Sequence, residues 1–288
     1  MADQLHRFTF EGAGVRGALV QLDESWREIH RIHDYPAAVA FALGEAVAAA
    51  VLLSSTVKIK GSLILQIQAQ GPLHMLVAQA NHEHGVRGVA RWGGQVPAGS
   101  LEEVFGEGRL VMTIDPENGR CYQGIVGLDG KTLAGVLTRY FEQSEQLRTG
   151  LWLFADGQRA AGLLVQELPV GREERGDDFV RIQHLAATLT QDEIFSLSAE
   201  QVLHRLFHEE IVRLFHPVPV RRFCSCSRAR LAATLRTLGQ KEVDGMIAEM
   251  GEIDLNCEFC NTVYRFDAVD VRALFTDGAA FAGPETRQ

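Results

Sequence analysis

Hydrophobic and polar positions alternate in short runs from the N-terminus to about position 170. Arg7–Phe10 and Val15–Leu22 read as strands. Leu63, Leu65, Ile67 and Ala69 alternate with Gln66, Gln68 and Gln70, the pattern of a strand with one dry and one wet face. Further strands are predicted at His74–Ala80, Gly85–Trp92, Leu110–Asp115, Cys121–Val126, Leu151–Ala155 and Ala161–Leu168. Two helices interrupt them. One starts with Pro36 at its first helical position and runs to about Thr56; the other covers Leu133–Gln143. Short turns such as Asn118-Gly119 join consecutive strands, which predicts antiparallel pairing and an α+β core over residues 1–170.

The pattern changes at the charged, Gly-flanked stretch 171–178, read as a domain boundary. Residues 171–220 read as a helical linker. Thr190-Gln-Asp-Glu193 and Ser198-Ala-Glu-Gln201 both match a capping box. Leu203, Leu206, Phe207, Ile211, Leu214 and Phe215 fall at helical spacing, so helix is expected through residue 216, where His216-Pro-Val-Pro219 stops it. Residues 221–288 read as a small third region: Cys-Ser-Cys, a helix capped by Ser227 and ending at Gly239, and a second helix ending at Gly251. A hairpin of Ile253–Cys257 and Val263–Phe266 follows, then a helix capped by Asp267 or Asp270 and a frayed tail after Thr276.

Composition excludes disordered and fibrous classes: 46% of the 288 residues are hydrophobic and 23% charged. The net charge is −9, and no region is basic: 14 basic and 18 acidic residues in 1–170, 5 and 9 in 171–220, 9 and 10 in 221–288. Nucleic-acid and anionic-membrane binding are therefore disfavoured. The N-terminus lacks an apolar signal core, so a cytoplasmic protein is expected. Residues 36–53 are apolar except for Glu45, short for a span and rich in Ala, and read as a buried helix.

Four of the five cysteines lie beyond position 223, as Cys224-Ser-Cys226 and Cys257-Glu-Phe-Cys260. In a reducing compartment this clustering indicates metal or redox chemistry. A Cys-x-x-Cys turn supplies two thiolates, and extended Cys-x-Cys turns two more toward one side. One zinc ion with four cysteine ligands is expected. Zinc-bound sulfurs lie about 3.7 Å apart by tetrahedral geometry, against about 2.05 Å in a disulfide, so oxidation and full ligation exclude one another. The site is thus either a permanent staple or a redox switch. Cys121 is expected to be a buried core thiol. His204 and His208, four apart on a helix, lack the Glu that a metalloprotease helix places after its first His; they are expected at an interface. His82-Glu-His84 reads as a surface loop.

The cysteine pattern, with Leu203-His-Arg-Leu-Phe-His-Glu-Glu210, Arg213-Leu-Phe-His-Pro-Val-Pro219, Cys224-Ser-Cys-Ser-Arg228 and Tyr264-Arg-Phe-Asp267, resembles the 33-kilodalton heat-shock family of redox-regulated bacterial chaperones. Phe8-Thr-Phe10, Val15-Arg-Gly17, Ala42-Leu-Gly-Glu45 and Gly85-Val-Arg-Gly88 extend the resemblance over nearly the whole chain. It implies a holdase that is not an enzyme. The reduced form binds zinc and is inactive. Oxidation joins Cys224 to Cys226 and Cys257 to Cys260, releases zinc, unfolds the zinc domain and linker, and yields a homodimer that holds unfolded clients without ATP. Leu203, Leu206, Phe207, Leu214 and Phe215 are then the expected client-binding surface. No Gly-x-x-x-x-Gly-Lys phosphate loop occurs. The alternatives are a zinc-ribbon binding module and a thiol–disulfide oxidoreductase built on Cys257 and Cys260.

Overall fold

The computed structural model describes residues 3–58, 60–169 and 178–276. The chain divides into two compact units between Phe223 and Cys224. Of the expected boundary at 171–178, residues 171–177 lie outside the described residues, as does the tail after Thr276; Asp178 begins a helix.

In the first unit β1 (Gln4–Phe10) and β2 (Val15–Leu22) form a hairpin, followed by α1 (Glu24–His30) and α2 (Ala37–Ser54). A second set of strands follows: β3 (Gly61–Ala69), β4 (Leu73–Asn81) and β5 (Gly85–Trp92), the short α3 (Leu101–Phe105), then β6 (Gly108–Pro116) and β7 (Tyr122–Gly127). After α4 (Leu133–Ser144), β8 (Thr149–Ala155) and β9 (Ala160–Glu167) return to the first sheet. Three helices come next, α5 (Asp178–Ala186), α6 (Gln191–Ser196) and α7 (Ala199–Phe207). The short strands β10 (Val212–Leu214), β11 (Val218–Pro219) and β12 (Arg221–Arg222) end the unit. One sheet has the order β10-β1-β2-β9-β8, with β11 also on β1; the other runs β12-β5-β4-β3-β6-β7. All pairings are antiparallel except β12 with β5.

Helix α2 sets this architecture. Thirteen of its eighteen residues are buried, and they join both sheets in one core with Leu5, Val20, Leu65 and Ala78. A helix apolar on nearly every side has to be enclosed. It is the one described helix long and apolar enough to cross a membrane, and here it is the centre of a folded unit. Pro36 stands at its N-cap, one position earlier than the sequence suggested, with extended ψ of 150°.

The opposite face of the first sheet carries a second core. Even-numbered β1 residues Phe8 and Phe10 meet Ile182, Ile194, Phe195, Val202 and Phe207 from α5–α7. The expected capping boxes are present at Thr190 and Ser198. Helix does not continue to residue 216, however. The segment turns after Phe207, and Val212–Leu214 pairs with Phe8–Phe10 as an edge strand. The apolar spacing that mimicked a helix face is satisfied instead by a sheet edge.

The second unit contains α8 (Arg228–Leu238), α9 (Gln240–Met250), the hairpin β13 (Glu252–Asn256) and β14 (Val263–Asp267), and α10 (Ala268–Thr276). Its buried core is small: Ala232, Leu235, Val243, Ile253, Phe266 and Val271, besides the thiol of Cys257. The overall class is α+β, as expected.

Candidate metal centre

Two local structures present the four thiols. In the first, Cys257 N–H donates to Thr262 O at 2.9 Å and closes the hairpin between β13 and β14. Asn261 N–H donates to Cys257 O at 2.7 Å from a left-handed backbone with φ 57°, a conformation Asn tolerates better than most residues. This tight turn brings Cys257 and Cys260 to the same side.

The second structure is the extended Cys224-Ser-Cys226 segment entering α8. The Ser227 hydroxyl caps that helix by accepting from Arg230 N–H, and the Arg230 guanidinium reaches back to Ser225 O at 2.8 Å. Arg228 clamps the segment further. It donates to Asp270 Oδ2 at 2.5 Å and lies over the Phe266 ring at 4.5 Å. The carboxylate of Asp267 accepts from Val269 and Asp270 N–H, so the start of α10 is fixed by Asp267.

All four sulfurs lie within 4.8 Å of one another. Cys224 Sγ is 3.6 Å from Cys257 Sγ, and Cys226 Sγ is 3.4 Å from Cys260 Sγ. These contacts join the segment before α8 to the β13–β14 turn, and all four thiols are free. Sulfurs around a tetrahedral ion of zinc size sit about 3.7 Å apart, so the cluster could hold a metal ion with little adjustment. Soft four-sulfur sets suit zinc or iron.

The surroundings act on the thiols in both directions. Backbone N–H groups of Cys226, Phe259 and Thr262 donate to the sulfurs of Cys224, Cys257 and Cys260. Burial nonetheless pushes Cys224 up to about 12 and raises Cys257. Burial also opposes ionisation of Cys260, but the Thr262 hydroxyl and N–H outweigh it and bring that thiol down to about 6. Tyr264 adds a hydroxyl 3.2 Å from Cys226 Sγ, and Thr262 Oγ1 lies 3.2 Å from Cys260 Sγ. The sequence pattern gave these two side chains no role. Their signal was position alone: two residues and four residues beyond the Cys-x-x-Cys pair, on the returning strand.

The other candidates are distributed differently. Leu203, Leu206 and Phe207 are buried in the first unit's second core, and half-buried Leu214 packs against that core from β10. Phe215 is 39% exposed and takes no part in it. Cys121, expected in the core, is exposed just before β7, because the period-two pattern there belongs to an edge strand with one solvated face. His204 and His208 are exposed, with rings 6.4 Å apart, on the side of α7 away from the sheet. His82 and His84 occupy the β4–β5 turn.

A family model described as Hsp33 protein matches residues 3–267. The 33 kDa chaperonin of Nitrosococcus oceani is 54% identical over 275 residues, covering 96% of this chain and 95% of that one. The 33 kDa chaperonin of Shewanella woodyi is 46% identical over 287 residues, 99% of each chain. The crystal structure of the 33 kDa chaperonin of Thermotoga maritima superposes with a TM-score of 0.83 at 24% identity, covering 95% of this chain and 98% of that one, a likeness of fold. With its core motifs, its four gathered cysteines and this match across nearly its whole length, the chain belongs to the Hsp33 family of chaperones.

Proposed function

We propose that this protein is a redox-regulated, ATP-independent holdase of the cytoplasm. One observation carries the reading: two cysteine pairs far apart in sequence meet as four free thiols in a unit with a very small apolar core. Cys224, Cys226, Cys257 and Cys260 are the ligands, and zinc held by them would join the segment before α8 to the β13–β14 hairpin and contribute on the order of 10–16 kcal/mol to the folding of residues 221–288. Under oxidative stress the zinc-bound thiolates of Cys224 and Cys226 would give two electrons to one hydrogen peroxide, which takes up two protons from solvent and becomes two waters as the disulfide forms. Cys257 and Cys260 react likewise. The sulfurs then no longer serve as ligands, and the small core cannot sustain the region alone.

Residues 171–220 act as the linker. Their apolar residues Leu203, Leu206 and Phe207 lie against Phe8 and Phe10 in the resting fold. Loss of this docking uncovers both faces, and exposed apolar surface captures unfolded clients and a second copy of the chain. The net charge of −9 keeps the opened form soluble.

Light scattering from a chemically unfolded client tests this reading. The peroxide-treated protein suppresses aggregation, and the reduced zinc-loaded protein does not. Equal suppression by both forms removes the redox gate; none by either returns the cysteines to a structural staple.

A further inference from the structure

Helix α2 fills the layer between the two sheets only as far as Ser54. Both sheets continue past it. Arg7 and Thr9 on β1 and Arg16 on β2 project from the face that also carries Leu5, Ala18 and Val20. Ser62 and Leu63 of β3 and Ala80 and Asn81 of β4 line the other side. Between them lies an open cleft of about 700 Å³, wholly within the first unit.

Its charge is one-sided. Arg7, Arg16, Lys58 and Lys60 line it, His82 and His84 join them, and no carboxylate does among the described residues, in a chain of net charge −9. Asp115 and Glu117 border the adjoining groove, where Glu117 lies 3.7 Å from His82 Nδ1. Arg16 is half-buried, and among the described residues its guanidinium meets neutral acceptors only: Gln166 Oε1 at 2.5 and 3.1 Å and Thr56 O at 3.4 Å. Arg7 is exposed and has no ion-pair partner among the described residues.

The C-terminal pole of α2 does not account for this excess. It amounts to about half a negative charge. The hydroxyls of Ser54, Ser55 and Thr56 already donate to the carbonyls of Val51, Leu52 and Leu53. Apolar Val57, Leu63, Ile114, Leu164 and Phe215 make up much of the rest of the lining, beside the neutral polar Thr9, Ser62 and Asn81. A cavity with an apolar lining, a few convergent polar groups and uncompensated positive charge is a ligand site rather than a packing defect.

We infer that this cleft binds a small amphipathic anion, a phosphate or carboxylate headgroup on an apolar body. The headgroup meets Arg7 and Arg16, and the body lies along Leu63, Ile114 and Phe215. Gln166 and Thr56 O take the Nε and Nη2 of Arg16 and fix its plane, which leaves Nη1 as a partly desolvated, charged donor to an anion beside Arg7. The site is separate from the cysteine cluster and needs no oxidation.

Isothermal titration of the reduced, full-length protein tests it. The probes are octyl phosphate below its micellar concentration, decanoate, and uncharged octyl glucoside. Octyl phosphate or decanoate binds at one per chain, weakens as salt rises, and binds at least about tenfold more tightly than octyl glucoside, the ratio expected from one charge-assisted contact. Tighter phosphate binding assigns the site to phosphoryl compounds, and tighter decanoate binding to carboxylates. Arg7→Gln and Arg16→Gln each weaken binding about tenfold by the same reasoning. Arg7 is exposed, so its variant decides the outcome even if Arg16→Gln fails to fold. Absence of saturable binding, equal affinity for octyl glucoside, or affinity unchanged in Arg7→Gln overturns the proposal.

Discussion

Glu45 is the one charged residue of α2, and burial raises its carboxyl to about 8. A carboxyl raised in the folded state contributes stability that is full below its unfolded pKa of about 4.3 and is lost as pH rises through the folded value. Thermal midpoints of the protein should therefore fall between pH 5 and 9 relative to Glu45→Gln, whose neutral amide has nothing to titrate. Parallel curves for the two proteins would refute the argument. The sequence already marked Glu45 as the residue that breaks an apolar run, and it marked all four clustered cysteines. It misplaced Cys121, because alternation alone does not tell an edge strand from a central one. Thr262 and Tyr264 were hidden for another reason: a hydroxyl beside a sulfur is a product of hairpin register, in which Leu255 faces Tyr264.

Among the elements, the α6–α7 pair is held to the sheet by specific contacts. Phe207 meets the ring of Phe10 edge-on at 4.9 Å, while Gln21 Nε2 donates to the carbonyls of Ile194 and Leu197 at 2.6 and 2.9 Å just upstream. Arg159 adds a hydrogen bond to Phe195 O at 2.8 Å and lies 4.7 Å over the Phe195 ring. Phe207→Ala should cost this docking about 3–5 kcal/mol through lost burial and the cavity left behind. Hydrogen exchange would then accelerate across residues 178–207 in the reduced protein, while strands β3–β6 stay protected. Uniform acceleration over the whole first unit would mean that α7 does not open independently. The caps of these helices were legible because capping is local. Strand β10 was not, since three residues become a strand only when β1 offers an edge. Helix α1 was missed for the same reason: the Asp3 carboxylate, far upstream, accepts from its first N–H groups at 2.5–3.0 Å. The Ser100–Glu103 capping box of α3, by contrast, was a local signal left unread.

At the scale of the whole molecule, the two units differ in what sustains them. The first has two extensive cores, and the second has six buried apolar side chains besides Cys257 among the described residues. Chelation of metal from the reduced protein should abolish amide protection over residues 224–276 and leave β1–β9 protected; retained protection in the second unit would show that its core suffices without metal. The α+β class was readable from period-two runs interrupted by helices. The basic cleft was not, because Arg7, Arg16, Lys58 and Lys60 are brought together only by the stacking of two sheets, and their surroundings in sequence are ordinary. The placement of β10–β12 has a further consequence. These strands are stitched to β1 and β5 immediately before Cys224, and β9 secures the chain upstream of the three helices. The helical segment is therefore moored at both ends. In the proposed switch, a signal from the cysteines would have to pass this sewn seam before it reached α7, a threshold against accidental opening. Once loosened, the segment still forms a closed loop whose extra length costs little entropy, about 0.6 kcal/mol per doubling. In the proposed cycle its return to the sheet would be a search within a leash, fast because both ends are already held close.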